Sequence, residues 1–222
     1  MTANTNLITV AAMVVLLTIG IGIGWGIQTT VAQGTGTVTT TTTSGAQGPY
    51  LLTLVLTTNN IFNSTVGDQP AFYVLTSHGL ESSANISLPA NRLIELTIIN
   101  YDDGNATLTN PSYANVQGTV NGTITYVNND NVNSSQGAGG IVVKGGDTVN
   151  SVPLADIAHT FTIPSLGINI PVPVSSIVTA FIHIDRAGSY VWLCETTCGS
   201  GNTGLEGAMA EPGWMTGNLD VS

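Results

Sequence analysis

The chain has 222 residues, of which 7% are charged: 3 are Lys or Arg and 13 are Asp or Glu, which gives a net charge of −10. Nucleic-acid binding through a basic patch is excluded, because phosphates need Lys and Arg partners. Charge-driven disorder is excluded too, since 42% of the residues are hydrophobic, and the shortage of Lys, Arg and Glu argues against a helical bundle. The abundance of Thr, Val and Ile instead favours β-structure.

The first predicted element is a membrane anchor over residues 1–28. Residues 7–27 carry no charge, and about 20 apolar residues suffice to span a bilayer as a helix. The preceding MTANTN has no Lys or Arg, which is atypical of a signal peptide, although cleavage after Ala32 stays open. Glycines at 20, 22, 24 and 26 have the small-xxx-small spacing that lets a second membrane helix approach closely.

A low-complexity linker is predicted next, over residues 29–49, because its Thr/Gly repeats cannot build a core. The rest of the chain carries five Asn-x-Ser/Thr sequons, which are the acceptors for N-glycosylation. They lie at Asn63, Asn85, Asn105, Asn121 and Asn133. These features predict a globular domain on the extracytoplasmic side of the cell membrane. The low charge is compatible with an acidic medium or with an ordinary neutral secreted surface, and both interpretations stay open.

From residue 50 onward, short apolar or alternating runs are broken by Gly, Asn, Asp and Pro, which predicts a single β-sandwich domain over residues 50–222. Strands are predicted at 51–57, 71–76, 92–99, 122–127, 140–143, 159–163, 177–184, 189–194 and 217–221. The polar, Gly-rich residues 128–150 are predicted to form a surface excursion.

The rare reactive side chains concentrate in the C-terminal part of the chain. Cys194 and Cys198 directly follow a predicted strand, Met215 precedes the last strand, and His159 opens another one. A His from one strand with Cys and Met from a neighbouring loop is a donor set that suits copper, because thiolate and thioether are soft ligands. Met209 is the alternative thioether donor.

The other two histidines are predicted to lie away from this site. His183 alternates with apolar residues along its strand and is expected on a sheet face, and His78 is expected in a turn. Asp102-Asp103, in the sequence YDDGN, is read first as a turn signal. No Ser lies in a nucleophile elbow, so a hydrolase is not expected.

Several segments of the C-terminal part resemble subunit II of haem–copper terminal oxidases. They are HTF at 159–161, PSLGINIP at 164–171, GSY at 188–190 and CETTCG at 194–199. The ending MTGNLDV at 215–221 is also similar to small blue copper proteins. The resemblance covers roughly residues 153–221. It implies an all-β, cupredoxin-like Greek-key β-sandwich on an N-terminal transmembrane helix, copper as cofactor, and integral-membrane oxidase subunits as partners.

The chain also departs from the oxidase pattern. The family has His and Met where this sequence has Asn202 and Leu205, so the dinuclear copper centre lacks an imidazole. Three interpretations stay open: a Cys194–Cys198 disulfide without metal, one copper ion held by His159, both cysteines and a Met, or a dinuclear centre helped by Asn202 or Glu195.

The expected function is a non-catalytic subunit of a respiratory terminal oxidase, of the quinol type with a degraded copper site, which serves in electron transfer or as structural support. The alternatives are a single-copper, blue-copper-like electron carrier and a metal-free structural surface protein. These differ in copper content and in the state of the thiols.

Overall fold

The computed structural model describes residues 48–58, 69–128 and 146–222, and these residues are all-β, as the composition predicts. The predicted anchor, nearly all of the linker, the strand at 140–143 and the sequons at Asn63 and Asn133 lie outside the described residues. Within those ranges, no helix is long and apolar enough to cross a bilayer. The compact unit that contains the described strands runs from Pro49 to Ser222.

Twelve strands make up the described part of the domain. They are β1 (Tyr50–Thr57), β2 (Ala71–Thr76), β3 (Gly79–Ser82), β4 (Asn85–Leu88), β5 (Arg92–Asn100), β6 (Ile124–Asn128), β7 (Asp147–Val149), β8 (Ile157–Ile163), β9 (Ile168–Pro173), β10 (Ser176–Ile184), β11 (Gly188–Leu193) and β12 (Thr216–Val221). Short 3₁₀ turns occur at Pro111–Ala114, Val120–Gly122, Leu154–Asp156, Pro164–Leu166 and Gly207–Met209.

The strands form two sheets that enclose one hydrophobic core. The larger sheet has the order β3-β2-β1-β5-β10-β6-β7, and the smaller one has the order β4-β12-β11-β8-β9. Most neighbours are antiparallel, but β1 pairs with β5 and β12 pairs with β4 in parallel. The predicted β-sandwich is therefore confirmed as an all-β, two-sheet domain.

Period-2 alternation explains why the central strands face the core as they do. In β5, Ile94, Leu96 and Ile98 are fully buried, and the residues between them are at least partly exposed. Each step along a strand turns the side chain to the other face, so one face of the sheet carries the apolar residues. His183 follows this rule on β10 and is exposed on the outer face, as expected.

The sequence-based prediction missed four strands. β3, β4 and β7 have only three or four residues each, and β7 lies inside the segment predicted as a surface excursion. β9 contains Pro171 and Pro173, which usually argue against a strand because proline lacks an N–H group. Here β9 is an edge strand of the smaller sheet, where prolines are tolerated.

One end of the sandwich gathers the segments that matter for function. β5 ends there at Asn100, β8 begins there at Ile157, and β11 ends there next to the start of β12, with Leu193 paired to both Thr162 and Thr216. The loops that leave these strands therefore meet over the same edge of the core.

Candidate metal centre

His159, Cys194 and Cys198 come together at this end of the sandwich. One ring nitrogen of His159 and the two Sγ atoms all lie within 4.8 Å of one another. His159 and Cys194 are buried, and Cys198 is partly exposed. Three of the four predicted copper-site residues thus form one cluster, although His159 lies 35 residues before Cys194 and 39 residues before Cys198.

The strands position each member of this cluster. His159 is the third residue of β8, and Cys194 is the first residue after β11. The Cys194 backbone N–H donates to the Met215 carbonyl at 2.8 Å, which continues the β11–β12 ladder by one step. The cysteine sulfur is therefore held by the sheet edge and not by a free loop.

The three donor atoms form a small triangle. The two Sγ atoms are 3.9 Å apart, and His159 Nδ1 lies 3.9 Å from Cys194 Sγ and 2.9 Å from Cys198 Sγ. Both cysteines are free thiols in this structure. A disulfide would bring the sulfurs to about 2.05 Å.

Asp102 fixes the orientation of the His159 ring. Its Oδ2 atom lies 2.9 Å from Nε2, and the two side chains are only 2% (His159) and 16% (Asp102) exposed. Nε2 therefore carries a proton that it donates to the carboxylate, and Nδ1 faces the two sulfurs. A carboxylate on the second ring nitrogen is the usual support of a metal-binding histidine, because it sets the tautomer and the ring angle.

Asp102 is itself held in place by the turn that follows β5. The buried Asn100 accepts the Asp102 N–H at 2.9 Å and donates to the Pro173 carbonyl at 2.8 Å. The second carboxylate oxygen of Asp102 accepts the Gly104 N–H at 2.8 Å. The turn predicted from YDDGN is present, and it also delivers a carboxylate to the site.

Asp102, His159 and Cys194 are linked by hydrogen bonds and shift one another's pKa values. Burial lowers the pKa of His159, but hydrogen bonds to Asp102 and Cys194 outweigh it and raise the pKa to about 9. Burial raises the pKa of Asp102, yet the hydrogen bond from His159 outweighs it, so the pKa of Asp102 is lowered overall. In the metal-free protein, the imidazolium is therefore the cation that neutralises this site.

The pKa values of the two thiols are shifted in opposite directions. Burial raises the pKa of Cys194, but hydrogen bonds from Cys198 and His159 outweigh it and hold that pKa well below the ordinary thiol value. The hydrogen bond to Cys194, and then burial, raise the pKa of Cys198 well above it. The Cys194–Cys198 pair therefore holds one proton between its two sulfurs and carries the charge of a single thiolate. A soft cation bound there would displace the protons that remain at the site.

The loop between the cysteines is tied to the segment that follows Asp102. Thr109 N–H donates to the Glu195 carbonyl at 2.8 Å, and Thr197 N–H donates to the Thr107 carbonyl at 2.9 Å. Thr196, buried between them, places its hydroxyl beside both sulfurs. The cysteine loop is thus a short strand-like strap and not a loose excursion.

Gly199, directly after Cys198, closes this strap. Its N–H donates to the Gly204 carbonyl at 2.7 Å. A Cβ atom at this position would overlap the backbone carbonyl of Glu206, so only glycine fits unless the loop moves. The close approach of the Glu206 backbone therefore explains why glycine follows the second cysteine in CETTCG.

The remaining predicted site residues differ in burial and in their partners. Met215 is fully buried, and its backbone is paired with Cys194, whereas Met209 is only partly buried at the core margin. The Glu195 carboxylate accepts the Thr109 hydroxyl at 2.8 Å. Asn202 is exposed.

The other residues singled out by the sequence lie on the surface. His78 is exposed in the turn after β2, as expected. The described sequon residues are all exposed and therefore open to modification. They are Asn85, Asn105 and Asn121.

An aromatic cluster supports the inner side of the site. The Phe72 ring meets the His159 ring edge-on at 6.3 Å and the Trp192 ring edge-on at 5.4 Å, and Phe161 stacks on Trp192 at 5.4 Å. These rings exclude water from the imidazole and restrict its motion.

Sequence reasoning missed Asp102 and Thr196 as parts of the site. Asp102 lies 57 residues before His159, and its local sequence signals only a turn. Thr196 was unremarkable as one of many threonines. The Cys-x3-Cys spacing could have indicated Thr196, because the middle residue of such a loop lies close to both sulfurs.

No protein-family model matches the sequence, and no curated protein matches it. Among solved structures, the chain is similar to the periplasmic domain of subunit II of cytochrome oxidase (CoxB) of Bradyrhizobium japonicum, with 10% identity over 79% of this chain and 86% of that one and a TM-score of 0.34.

Two small proteins are matched in the same way. Auracyanin B has 15% identity over 79% of this chain and 91% of its own, with a TM-score of 0.32. Rusticyanin from Thiobacillus ferrooxidans has 12% identity over 80% and 81%, with a TM-score of 0.29. These structural neighbours are cupredoxin-fold proteins. At these TM-scores the superpositions are loose, and the similarity is one of fold.

Proposed function

We propose that this chain is a cupredoxin-like domain that binds one copper ion through His159, Cys194 and Cys198 and serves in electron transfer. The observation that carries the proposal is the Asp102–His159 contact of 2.9 Å. It leaves Nδ1 facing two thiols in a buried pocket, which is the arrangement that a metal-binding histidine needs.

The separation of the two sulfurs supports a single ion. Two sulfurs that each lie about 2.3 Å from a common metal are about 3.8–4.0 Å apart at tetrahedral to trigonal angles. The measured separation of the Cys194 and Cys198 sulfurs is 3.9 Å. Because two of the three donors are soft thiolates, copper(I) suits the set best.

Met215 is proposed as a further, weaker donor. It is buried and lies beside Cys194 across the last rung of the β11–β12 ladder. A thioether from the residue before the last strand would add a third soft atom without changing the charge of the site. Met209 is the alternative donor.

Bound copper would supply a one-electron carrier, and the chain's own residues keep the site fixed around it. The sheet edges hold His159 and Cys194, and Asp102 holds the imidazole. Phe72 and its aromatic neighbours exclude water from the inner side. A site that does not rearrange between oxidation states exchanges electrons with little reorganisation.

The wider setting is proposed from the sequence. The domain would be anchored outside the cytoplasmic membrane, similar to subunit II of a terminal oxidase, and would pack with integral-membrane subunits through the helix predicted from the sequence at 7–27. A quinol-type oxidase fits the absence of His at position 202 and of Met at position 205. The low charge supports a fixed partner, because 3 cations and 13 acids offer little steering to a mobile one.

The test is copper stoichiometry on the purified full-length chain in detergent, with thiols kept reduced. Copper(I) is titrated against a competing chelator, with zinc(II) in a parallel series. The expected result is one copper(I) per chain, lost in the variant Cys194→Ser and retained in a surface control, Thr58→Ser. Absence of stoichiometric copper, or a preference for zinc, would contradict the proposal.

Oxidation state and partners separate the alternatives. An intense thiolate-to-copper(II) absorption band would favour a blue-copper-like carrier. Copurification with haem-bearing membrane proteins would favour the oxidase subunit. A quantitative Cys194–Cys198 disulfide by mass spectrometry of freshly isolated protein, with no copper, would favour the metal-free structural role.

A further inference from the structure

The Thr196 hydroxyl lies between the two cysteine sulfurs. Thr196 is fully buried. Its Oγ1 atom lies 3.1 Å from Cys194 Sγ, is hydrogen-bonded to Cys198 Sγ, and lies 3.1 Å from the Ala158 carbonyl oxygen. The neighbouring Thr197, which is partly buried, has no such position, since it turns its hydroxyl to the Thr107 carbonyl at 3.3 Å.

The backbone fixes this hydroxyl between the sulfurs. Thr196 pairs with Leu108 in an isolated β-bridge, and its carbonyl accepts the Cys198 N–H at 3.0 Å. The backbones of Thr196 and Cys198 are therefore both held by this strap.

A hydroxyl has one proton to donate, and here it has three possible acceptors. While a sulfur carries a proton, its S–H group can donate to Oγ1, and the hydroxyl proton goes to the Ala158 carbonyl. When a metal ion replaces the thiol protons, both sulfurs become acceptors only. The hydroxyl can then turn its proton to a sulfur.

We infer that Thr196 is a positioning residue that sets how much electron density the two sulfurs give to copper. This inference rests on the proposed copper function. A hydrogen bond to a thiolate stabilises negative charge on sulfur. That charge is larger when copper is reduced, so the bond favours copper(I) over copper(II) and raises the reduction potential.

Apart from His159, which is itself a proposed copper ligand, one other donor among the described residues reaches these sulfurs. The Thr160 backbone N–H lies 3.3 Å from Cys194 Sγ. It belongs to β8 and stays whatever the side chain at 160 is. Among the described residues other than the proposed ligands, the Thr196 hydroxyl is therefore the donor to these sulfurs that a side-chain substitution can remove.

The test compares Thr196→Val with Thr196→Ser and with the matched control Thr197→Val, in which the removed hydroxyl bonds the Thr107 carbonyl and not a sulfur, all in the full-length chain. Thr196→Val keeps the shape and removes the hydroxyl. The affinities for copper(I) and copper(II) are measured by chelator competition, and the thiolate-to-copper(II) band by absorption. Thr196→Val should lower the ratio of copper(I) to copper(II) affinity by several-fold, up to about tenfold, because only the difference in the strength of the lost hydrogen bond between the two oxidation states changes this ratio.

The other variants define the meaning of that change. Thr196→Ser and Thr197→Val should keep the ratio within about twofold, and only Thr196→Val should shift the absorption band. If Thr196→Val does not fold, Thr196→Ala serves the same comparison, because it also lacks the hydroxyl. A wild-type ratio and band in both hydroxyl-free variants, with copper bound, would refute this inference alone. Wild-type protein that takes up no stoichiometric copper would refute the proposed function and this inference with it.

Discussion

Replacing Asp102 by Asn tests the support of the imidazole directly. Asn keeps the size of the side chain and one acceptor oxygen but removes the negative charge. The pKa of His159 is about 9, against an ordinary value of 6.5, so Asp102 and Cys194 together favour the imidazolium by about 3 kcal/mol beyond the opposing effect of burial. Without the carboxylate, we expect this pKa to fall toward or below its ordinary value, because burial then acts with less opposition.

The same substitution should weaken copper binding. Loss of the group that orients a metal-binding histidine typically costs about 10–100-fold in affinity. We therefore expect copper(I) affinity to fall by that factor in Asp102→Asn, with the copper stoichiometry unchanged. The matched control is Asp103→Asn, because Asp103 is the adjacent carboxylate and is exposed.

Two measurements test whether Asp102 supports the His159 imidazole. NMR titration of the reduced, metal-free chain follows the imidazole of His159, with the exposed His78 and His183 as internal references. Chelator competition gives the copper(I) affinity. If Asp102→Asn leaves both the His159 pKa and the affinity at wild-type values, the carboxylate does not support this site and the reasoning from the 2.9 Å contact is wrong.

Three further predictions concern acid stability, the thioether and the loop glycine. Because the pKa of Asp102 is lowered in the folded protein, its stabilising contribution is complete above the ordinary value and is lost as the pH falls through the lowered one. Urea unfolding of the metal-free chain should therefore show the stability gap between wild type and Asp102→Asn shrinking as the pH falls from about 6 to about 2; a constant gap would contradict this. Met215→Leu should shift the copper absorption spectrum and lower copper(I) affinity by about tenfold, whereas Met209→Leu should leave both unchanged; equal effects of the two would exclude Met215 as the donor. Gly199→Ala should destabilise the fold by about 1–3 kcal/mol in urea unfolding, since its Cβ meets a backbone carbonyl, whereas Gly48→Ala has no atom within 4 Å of the new Cβ and should be neutral; a neutral Gly199→Ala would show that the loop yields.

Sequence periodicity predicted the long strands well, and the physical reason is burial. β5 and β10 have nine residues each, and their alternation is enforced by a core on one side. β3, β4 and β7 are too short to show a period. β9 was missed because its prolines obey the rule for edge strands, and edge position is a property of the assembled sheet.

The candidate site divides in the same way. Cys194 and His159 stood out because they are rare residue types next to strand ends, where side chains are held firmly. Asp102 and Thr196 are common types in common surroundings, and their importance lies in contacts with His159 and the sulfurs. The Asp102–His159 contact joins residues 57 positions apart, and no local pattern reports such a contact.

The β-class of the domain, the scarcity of charge and the supply of soft donors can be predicted from the amino-acid sequence, because they follow from composition and from short-range spacing. The tertiary structure decided which end of the sandwich receives the donors, which nitrogen of His159 faces the sulfurs, and that a carboxylate and a hydroxyl stand behind them. Those features depend on which strands become neighbours. Strand pairing is set by the packing of the whole core, and a chain read residue by residue does not contain it.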